Sequence, residues 1–258
     1  MELALPVEGL EKYHSRSQMA RVATESWASA NLFCVNCDSP RLTASPVGSR
    51  ALDYLCPSCD DSFQLKSQSK PFGERVLDSA YSAMIAAIAA DRTPHFVLLH
   101  YSRELWSVLD LVFIPRFAIP KSAIEKRKPL SSTARRAGWV GCNIVLTHIP
   151  ADARLSIVRG GIVERASAVR RRFERLRPLA ELRPEERGWT LDVLTAVRGL
   201  GREEFLLEDV YAKECQLAAL HPANRHVCDK IRQQLQVLRD KGLLEFLGRG
   251  KYRLRGGA

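Results

Sequence analysis

The feature that most constrains this chain is a pair of Cys-x-x-Cys motifs at residues 34–37 and 56–59, separated by eighteen residues. Four thiolates complete a tetrahedral zinc shell only when two tight turns converge, so the two motifs must fold together as a small ribbon. The N-terminus shows no secretory signal, which favours zinc over disulfides and predicts a cytoplasmic protein. We therefore predict a structural zinc site whose ligands are four of the seven cysteines: Cys34, Cys37, Cys56 and Cys59.

The second motif joins two short predicted strands within residues 52–66. Asp53 lies on the first strand, and Gln64 and Lys66 lie on the second, where side chains two residues apart point to the same face. Metal-dependent nucleases combine such groups, because a carboxylate holds a divalent cation and a lysine stabilises the charge that develops during phosphodiester cleavage. We predict a catalytic set of Asp53, Gln64 and Lys66, with Mg²⁺ bound by Asp53 and Gln64.

Gln64 is the weak point of this set, because its neutral carbonyl stands where a second carboxylate would be expected. Asp61, Glu25 or a backbone carbonyl would have to compensate. Glu25 lies on a predicted helix over residues 14–30, where a solvated carboxylate is the commoner interpretation. Without reference to any family, an acid followed by Gln-x-Lys is a weak signal.

Strand and helix patterns alternate along the first 185 residues, which predicts one mixed α/β domain. An arginine-rich surface helix and a linker are expected over residues 160–187, with the domain boundary near residues 184–188. The Ala-rich, apolar run around residues 80–90 is too short to span a membrane. The other elements expected are a helix over 74–91 and strands over 95–101, 106–114, 144–146 and 154–158.

A basic segment follows the strand expected over residues 106–114. The chain carries 39 Lys and Arg against 29 Asp and Glu, a net charge of +10 that favours a polyanionic partner. Arg135 and Arg136 precede Trp139, which lies between Gly138 and Gly141. Arginines beside an aromatic ring on a permissive backbone suit contact with DNA. A core tryptophan in a glycine-rich turn explains the same pattern equally well.

Residues 186–258 are predicted to form a winged-helix domain. Short helices at 189–197 and from 207 onward precede a third helix, capped by Asn224 and ending near residue 240, and then a hairpin with a basic turn. This third helix would enter the major groove, and the hairpin would lie over phosphates. A winged helix used for protein contacts is the alternative. The predicted DNA-contacting residues here are Arg225, Arg232, Gln233, Gln236, Arg249, Lys251 and Arg253.

Several runs together resemble the DpnI-like methyl-directed restriction endonucleases of the PD-(D/E)xK superfamily, over nearly the full length. Beyond the four cysteines and Asp53, the resemblance is carried by residues 15–21, 24–27, 128–139, 230–242 and 248–253. It implies a PD-(D/E)xK nuclease domain with a zinc ribbon-like insertion at residues 1–185, and a winged-helix domain at 186–258. Gln64 departs from the family pattern, which has Glu there, and Leu52 stands where the superfamily motif has Pro.

The resemblance also implies an activity. Members are type II enzymes that use Mg²⁺ to cleave duplex DNA at GATC carrying methylated adenine, which both domains read. On that basis Asp53 and Lys66 are the catalytic pair, and Trp139 contacts the methylated step. We expect a bacterial, cytoplasmic protein that is monomeric in solution.

Two other functions stay open from the sequence. Gln64 allows a reader of methylated DNA that has lost cleavage. A zinc-ribbon and winged-helix transcription regulator, which would bind one operator whatever its methylation, is the third possibility.

Overall fold

A computed structural model describes residues 1–46, 49 and 52–255, which form two compact units. The first unit comprises Met1–Gly73, Pro94–Arg116 and Arg154–Glu174. The second comprises Glu74–Thr93, Phe117–Ala153 and Arg175–Ala258, whose last three residues lie outside the described part.

The described residues contain helices and strands in mixed order. The helices are α1 Arg16–Asn31, α2 Tyr81–Ala89, α3 Ala166–Leu176, α4 Pro184–Arg198, α5 Leu207–Tyr211, α6 Glu214–Leu220 and α7 Val227–Asp240. The strands are β1 Thr43–Ala44, β2 Tyr54–Leu55, β3 Ser62–Gln68, β4 Arg75–Ala80, β5 His95–Ser102, β6 Ser107–Ile114, β7 Ile124–Lys126, β8 Gly141–Val145, β9 Leu155–Arg159, β10 Ile162–Val163, β11 Glu204–Leu206, β12 Leu244–Gly248 and β13 Lys251–Leu254.

The first unit is built on a seven-stranded sheet in the order β1-β2-β3-β5-β6-β9-β10. Strands β3 and β5 are parallel, and the other neighbours are antiparallel. Rings on one face of the central strands, Phe63, His95 and Phe113, pack with Phe173 of α3 at centroid distances of 5.0 to 6.0 Å. This buried aromatic cluster fixes β3, the strand that carries Gln64 and Lys66.

The second unit begins with a correction to the sequence prediction. Residues 75–80, expected to be helical, form β4, which pairs with β8 in a three-stranded sheet of order β4-β8-β7. Only Tyr81–Ala89 is helical, as α2. The pairing joins Val76 to Ile144, and a partner so distant in sequence outweighs the local helical preference of the Ala-rich run.

The C-terminal part of the second unit is a winged helix, in which α4, β11 and then α5 to α7 precede the hairpin β12-β13, and the three strands pair in the order β11-β13-β12. On α7, Ile231, Leu235 and Leu238 recur three or four residues apart, as on one face of a helix, and are fully buried. Across this core the Thr190 hydroxyl of α4 donates a hydrogen bond to Gln234 Oε1 at 2.6 Å. The predicted winged-helix character and the basic hairpin are confirmed, but the expected second helix is divided into α5 and α6 and is preceded by the short strand β11.

Two predicted helix boundaries here are wrong. Helix α4 begins at Pro184 and not at residue 189, so residues 184–188 form its first turn, where a proline is well tolerated. The N-cap of α7 is His226, because the Asn224 side chain instead accepts a hydrogen bond from the His226 N–H at 2.7 Å. The domain boundary at residues 185/186 stays a prediction.

The predicted fold class is confirmed: a mixed α/β sheet domain with a four-cysteine cluster is followed by a winged-helix domain. In the described part of the chain, no helix combines the length and the apolar character needed to cross a bilayer.

Candidate active site and DNA-binding residues

The candidate active site lies where β2 meets β3. Asp53 directly precedes β2, and its backbone N–H donates to the carbonyl of Phe63 at 2.9 Å. Its carboxylate Oδ2 accepts a hydrogen bond from the backbone N–H of Leu65 at 2.8 Å. Since Leu65 separates Gln64 from Lys66, this bond holds the Asp53 carboxylate beside the two residues predicted to act with it.

Gln64 and Lys66 occupy alternate positions of β3, both half-buried. In register with them on β5 are Phe96 and Leu98, which are buried. Registered neighbours share a face of a sheet, so the amide and the ammonium extend from the same face as these two apolar side chains. Charges in such surroundings interact more strongly than they do in bulk water.

The Asp53 carboxyl has a raised pKa. Burial is the largest cause, and the charge of Glu25 adds to it, while the Leu65 N–H and the charges of Lys66 and Arg21 oppose it. A carboxylate withdrawn from water beside a second carboxylate favours binding of a cation, which would stabilise the ionised form of both. Hard oxygen donors of this kind fit Mg²⁺.

The charge of Glu25 raises the pKa of Asp53, which makes Glu25 a candidate for the compensating acid, and its ion pair with Arg21 also fits the solvated helix carboxylate expected from the sequence. Two hydrogen bonds join α1 to β2 and β3: the Tyr54 hydroxyl donates to the Glu25 carbonyl at 2.9 Å, and Thr24 Oγ1 lies 3.1 Å from Ser67 Oγ. The Glu25 carboxylate is half exposed and accepts a hydrogen bond from Arg21 Nε at 2.8 Å. The sequence names Glu25 only as one of several possible compensating groups, because Glu25 lies on a separate element from the Asp53 hairpin.

Asp61, the other acid considered for compensation, belongs to the cysteine cluster instead. Its Oδ2 accepts a hydrogen bond from Asn36 Nδ2 at 2.6 Å and lies 3.3 Å from Nε2 of the buried His95. Burial raises the pKa of the Asp61 carboxyl, but His95 and Asn36 outweigh it and lower the pKa below its usual value. The same oxygen lies 3.7 Å from Cys59 Sγ, so Asp61 supports a cysteine of the cluster.

The four predicted zinc ligands converge. The Sγ atoms of Cys34, Cys37, Cys56 and Cys59 all lie within 4.8 Å of one another, so the cluster could hold a zinc ion. Burial raises the pKa of the Cys34 and Cys59 thiols, whereas at Cys56 hydrogen bonds from the backbone N–H groups of Ser58 and Cys59 outweigh burial and lower the pKa to about 7. Such a thiol is readily converted to the thiolate that zinc requires.

An arginine of α3, which sequence reasoning read only as a surface residue, secures the first cysteine turn. Arg170 donates through Nε to the Cys34 carbonyl at 3.1 Å and through Nη2 to the Ser39 carbonyl at 3.3 Å. Its guanidinium also lies 5.3 Å from the centre of the Phe33 ring. The cysteine turns are thus attached to the core of the first unit.

The predicted DNA-contacting loop in the second unit is exposed around Trp139. The Arg136 guanidinium lies 4.4 Å from the centre of the Trp139 ring, and the ring itself is half-buried. Arg135 and Arg136 line an open cavity of about 530 Å³ with Leu130 and Ala134. The structure therefore excludes a deep core position for Trp139 and brings it together with Arg136 at the surface.

Gly141 positions the Trp139 ring. A Cβ at residue 141 would lie 2.8 Å from two ring carbons, so the ring covers this glycine closely. We expect Gly141→Ala to displace the ring and to weaken binding of methylated duplex by about 5- to 100-fold, in line with the cost of overpacking. Fluorescence of the tryptophans and duplex titration measure the two effects.

Gly73→Ala is the matched control, since a Cβ there meets nothing within 4 Å. Unchanged fluorescence and unchanged binding in Gly141→Ala would contradict the positioning role.

In the winged helix, the predicted contact residues Arg225, Arg232, Gln233 and Gln236 are all exposed. Gln233 accepts a hydrogen bond from Lys230 at 2.8 Å, and the Arg232 guanidinium lies 5.7 Å from the centre of the Tyr211 ring. In the hairpin, Arg249 occupies the turn with a φ of +48°. Lys251 and Arg253 both contact Glu204 of β11, a residue that no sequence pattern marked.

Together these features define the class of the protein. A mixed α/β domain with a four-cysteine cluster, followed by a helix-turn-helix domain whose helix α7 has an exposed polar face, is a two-domain DNA-binding protein.

The comparison with protein families then identifies the family. Residues 1–182 match the DpnI model, described as the Dam-replacing family, and residues 185–254 match the Dam-replacing HTH domain. The chain therefore belongs to the Dam-replacing family, and the DpnI-like resemblance is confirmed. Membership implies a restriction nuclease that binds DNA.

Proposed function

We propose that this protein is a Mg²⁺-dependent type II endonuclease that hydrolyses duplex DNA at GATC sites carrying methylated adenine. The observation that carries the proposal is the Asp53 carboxylate, anchored on β3 between Gln64 and Lys66 and accompanied by Glu25. Family membership supplies the link to restriction and methylation. The proposal includes a monomer that acts in the bacterial cytoplasm.

Each residue of the site has a distinct role in the proposed reaction. Asp53 and Glu25 would hold the divalent cation through carboxylate oxygens, and Gln64 would add a neutral carbonyl oxygen. The cation, when bound, supplies an activated water and neutralises charge on the phosphate. Lys66 would place its ammonium beside the scissile phosphate and stabilise the negative charge that develops there.

Recognition is assigned to the second unit. Arg135 and Arg136 would contact phosphates and Trp139 the methylated step. The exposed face of α7, with Arg232, Gln233 and Gln236, would enter the major groove, where arginine suits guanine and glutamine suits adenine. Arg225, before α7, would contribute a phosphate contact.

Synthetic duplexes with one GATC site, methylated on neither, one or both strands, test the proposal. We expect cleavage of the methylated duplexes in Mg²⁺, and none in chelator or without methylation. Cleavage of all duplexes at similar rates would contradict the specificity, and cleavage of none would contradict the nuclease.

A reader of methylated DNA without cleavage is the second candidate, because Gln64 replaces a carboxylate. The role of Glu25 separates the two. If Glu25 compensates for Gln64, Glu25→Gln should weaken metal affinity by about 10- to 100-fold and reduce cleavage. Adding Gln64→Glu to that variant should restore both, as measured by calorimetric titration with Mn²⁺ and by duplex cleavage.

Glu8→Gln is the matched control, since it makes the same change at an exposed carboxylate of the first unit. If the parent is inert and Gln64→Glu alone creates cleavage, the protein is a reader. If Glu25→Gln binds Mn²⁺ like the parent, Glu25 is not a ligand.

A further inference from the structure

The basic side chains of the wing, the hairpin β12-β13 of the C-terminal domain, are engaged in ion pairs that the sequence does not predict. Arg253 lies on β13, the middle strand of the small sheet, directly opposite Glu204 of β11 and Glu245 of β12. Lys251 lies two residues earlier on β13 and points to the same face. A row of two carboxylates therefore flanks the cations that were predicted to contact phosphates.

Glu204 holds both cations at once. Its Oε2 lies 2.5 Å from Lys251 Nζ, and its Oε1 accepts hydrogen bonds from Arg253 at 2.6 Å from Nη2 and 3.0 Å from Nε. The hydrogen bonds of these two side chains lower the pKa of the Glu204 carboxyl, so it is ionised throughout the neutral range. Glu245 lies farther away, 3.7 Å from Arg253.

A carboxylate that binds a lysine and an arginine with its two oxygens presents the same chemistry as a phosphate. We propose that Glu204 is a built-in phosphate mimic, which occupies Lys251 and Arg253 and keeps them from the phosphates of non-specific DNA. The inference rests on the DNA binding of the proposed function, but not on cleavage or methylation.

The strength of the Glu204 ion pairs suits a competition between this carboxylate and DNA phosphates for Lys251 and Arg253. Exposed ion pairs are weak, so phosphates that other contacts hold in place can displace Glu204, whereas loosely placed phosphates must compete with it for the two cations. Non-specific binding consists almost wholly of phosphate contacts, and a genome offers a large excess of such sites. A chain of net charge +10 would otherwise spend much of its time on them.

The test is the salt dependence of binding to a duplex without GATC. If Glu204→Gln frees two cations for two phosphates, the slope of log Kobs against log[salt] should become more negative by about 1.8. Affinity at low salt should rise several-fold. Adding Lys251→Gln and Arg253→Gln to this variant should return the slope to the parent value.

Glu181→Gln is the charge-matched control, because Glu181 pairs with Lys241 at 2.5 Å outside the wing. A slope in Glu204→Gln equal to that of the parent or of Glu181→Gln would overturn the inference. So would the absence of duplex binding in both parent and Glu204→Gln. Thermal melting by circular dichroism confirms that the variants are folded, and a parent that binds without cutting would sink only the proposed function.

Discussion

Lys66→Ala is expected to reduce cleavage of methylated DNA by about 100- to 1,000-fold while leaving duplex affinity unchanged. Lys66 lies on β3 next to the Leu65 N–H that anchors Asp53, on the same face as Gln64. The positive charge of Lys66 acts to lower the pKa of the Asp53 carboxyl. An ammonium that stabilises charge only in the transition state affects rate rather than binding, and loss of one such group typically costs this much.

Single-turnover cleavage and a binding titration in chelator measure these two quantities separately. Gln68→Ala is the matched control, since Gln68 lies two residues further along the same strand and is exposed. It should cleave like the parent. A Lys66→Ala variant with parental cleavage rates would rule out this hairpin as the catalytic site.

Loss of the cysteine cluster should have the largest effect on stability. Cys34→Ser is expected to remove the bound zinc and to lower the melting temperature by about 10 °C or more, because structural zinc contributes many kcal/mol to folding. Asp53 lies three residues before Cys56, so cleavage should be lost with the metal. Elemental analysis and calorimetric melting measure the two effects.

Cys215→Ser provides the control, since Cys215 is an exposed cysteine of α6 outside the cluster. It should retain zinc and melt like the parent. If Cys34→Ser retained zinc and the parental melting temperature, the four cysteines would not form a structural metal site.

The sequence predicts those features of the protein that depend on the spacing of residues close together in the chain. The two Cys-x-x-Cys turns, the alternation of Gln64 and Lys66, and the buried face of α7 all follow from periods of two to four residues. The structure has them where the sequence placed them.

The parts that were missed depend on partners far away in the chain. Residues 75–80 become a strand because β8 pairs with them, and α1 is held beside the Asp53 hairpin by hydrogen bonds that involve Tyr54 and Ser67. Glu204 meets Arg253 through the register of a three-residue strand. None of these contacts leaves a periodic signal, so no reading of adjacent residues could have found them.

The measurement that tests the central claim most directly is plasmid cleavage. The same plasmid, prepared from hosts with and without adenine methylation at GATC, is incubated with the parent protein and with Lys66→Ala, in Mg²⁺ and in chelator. We predict that only the methylated plasmid is cut, only in Mg²⁺ and only by the parent. An uncut methylated plasmid at high protein concentration would contradict the proposal that this chain is a methyl-directed nuclease.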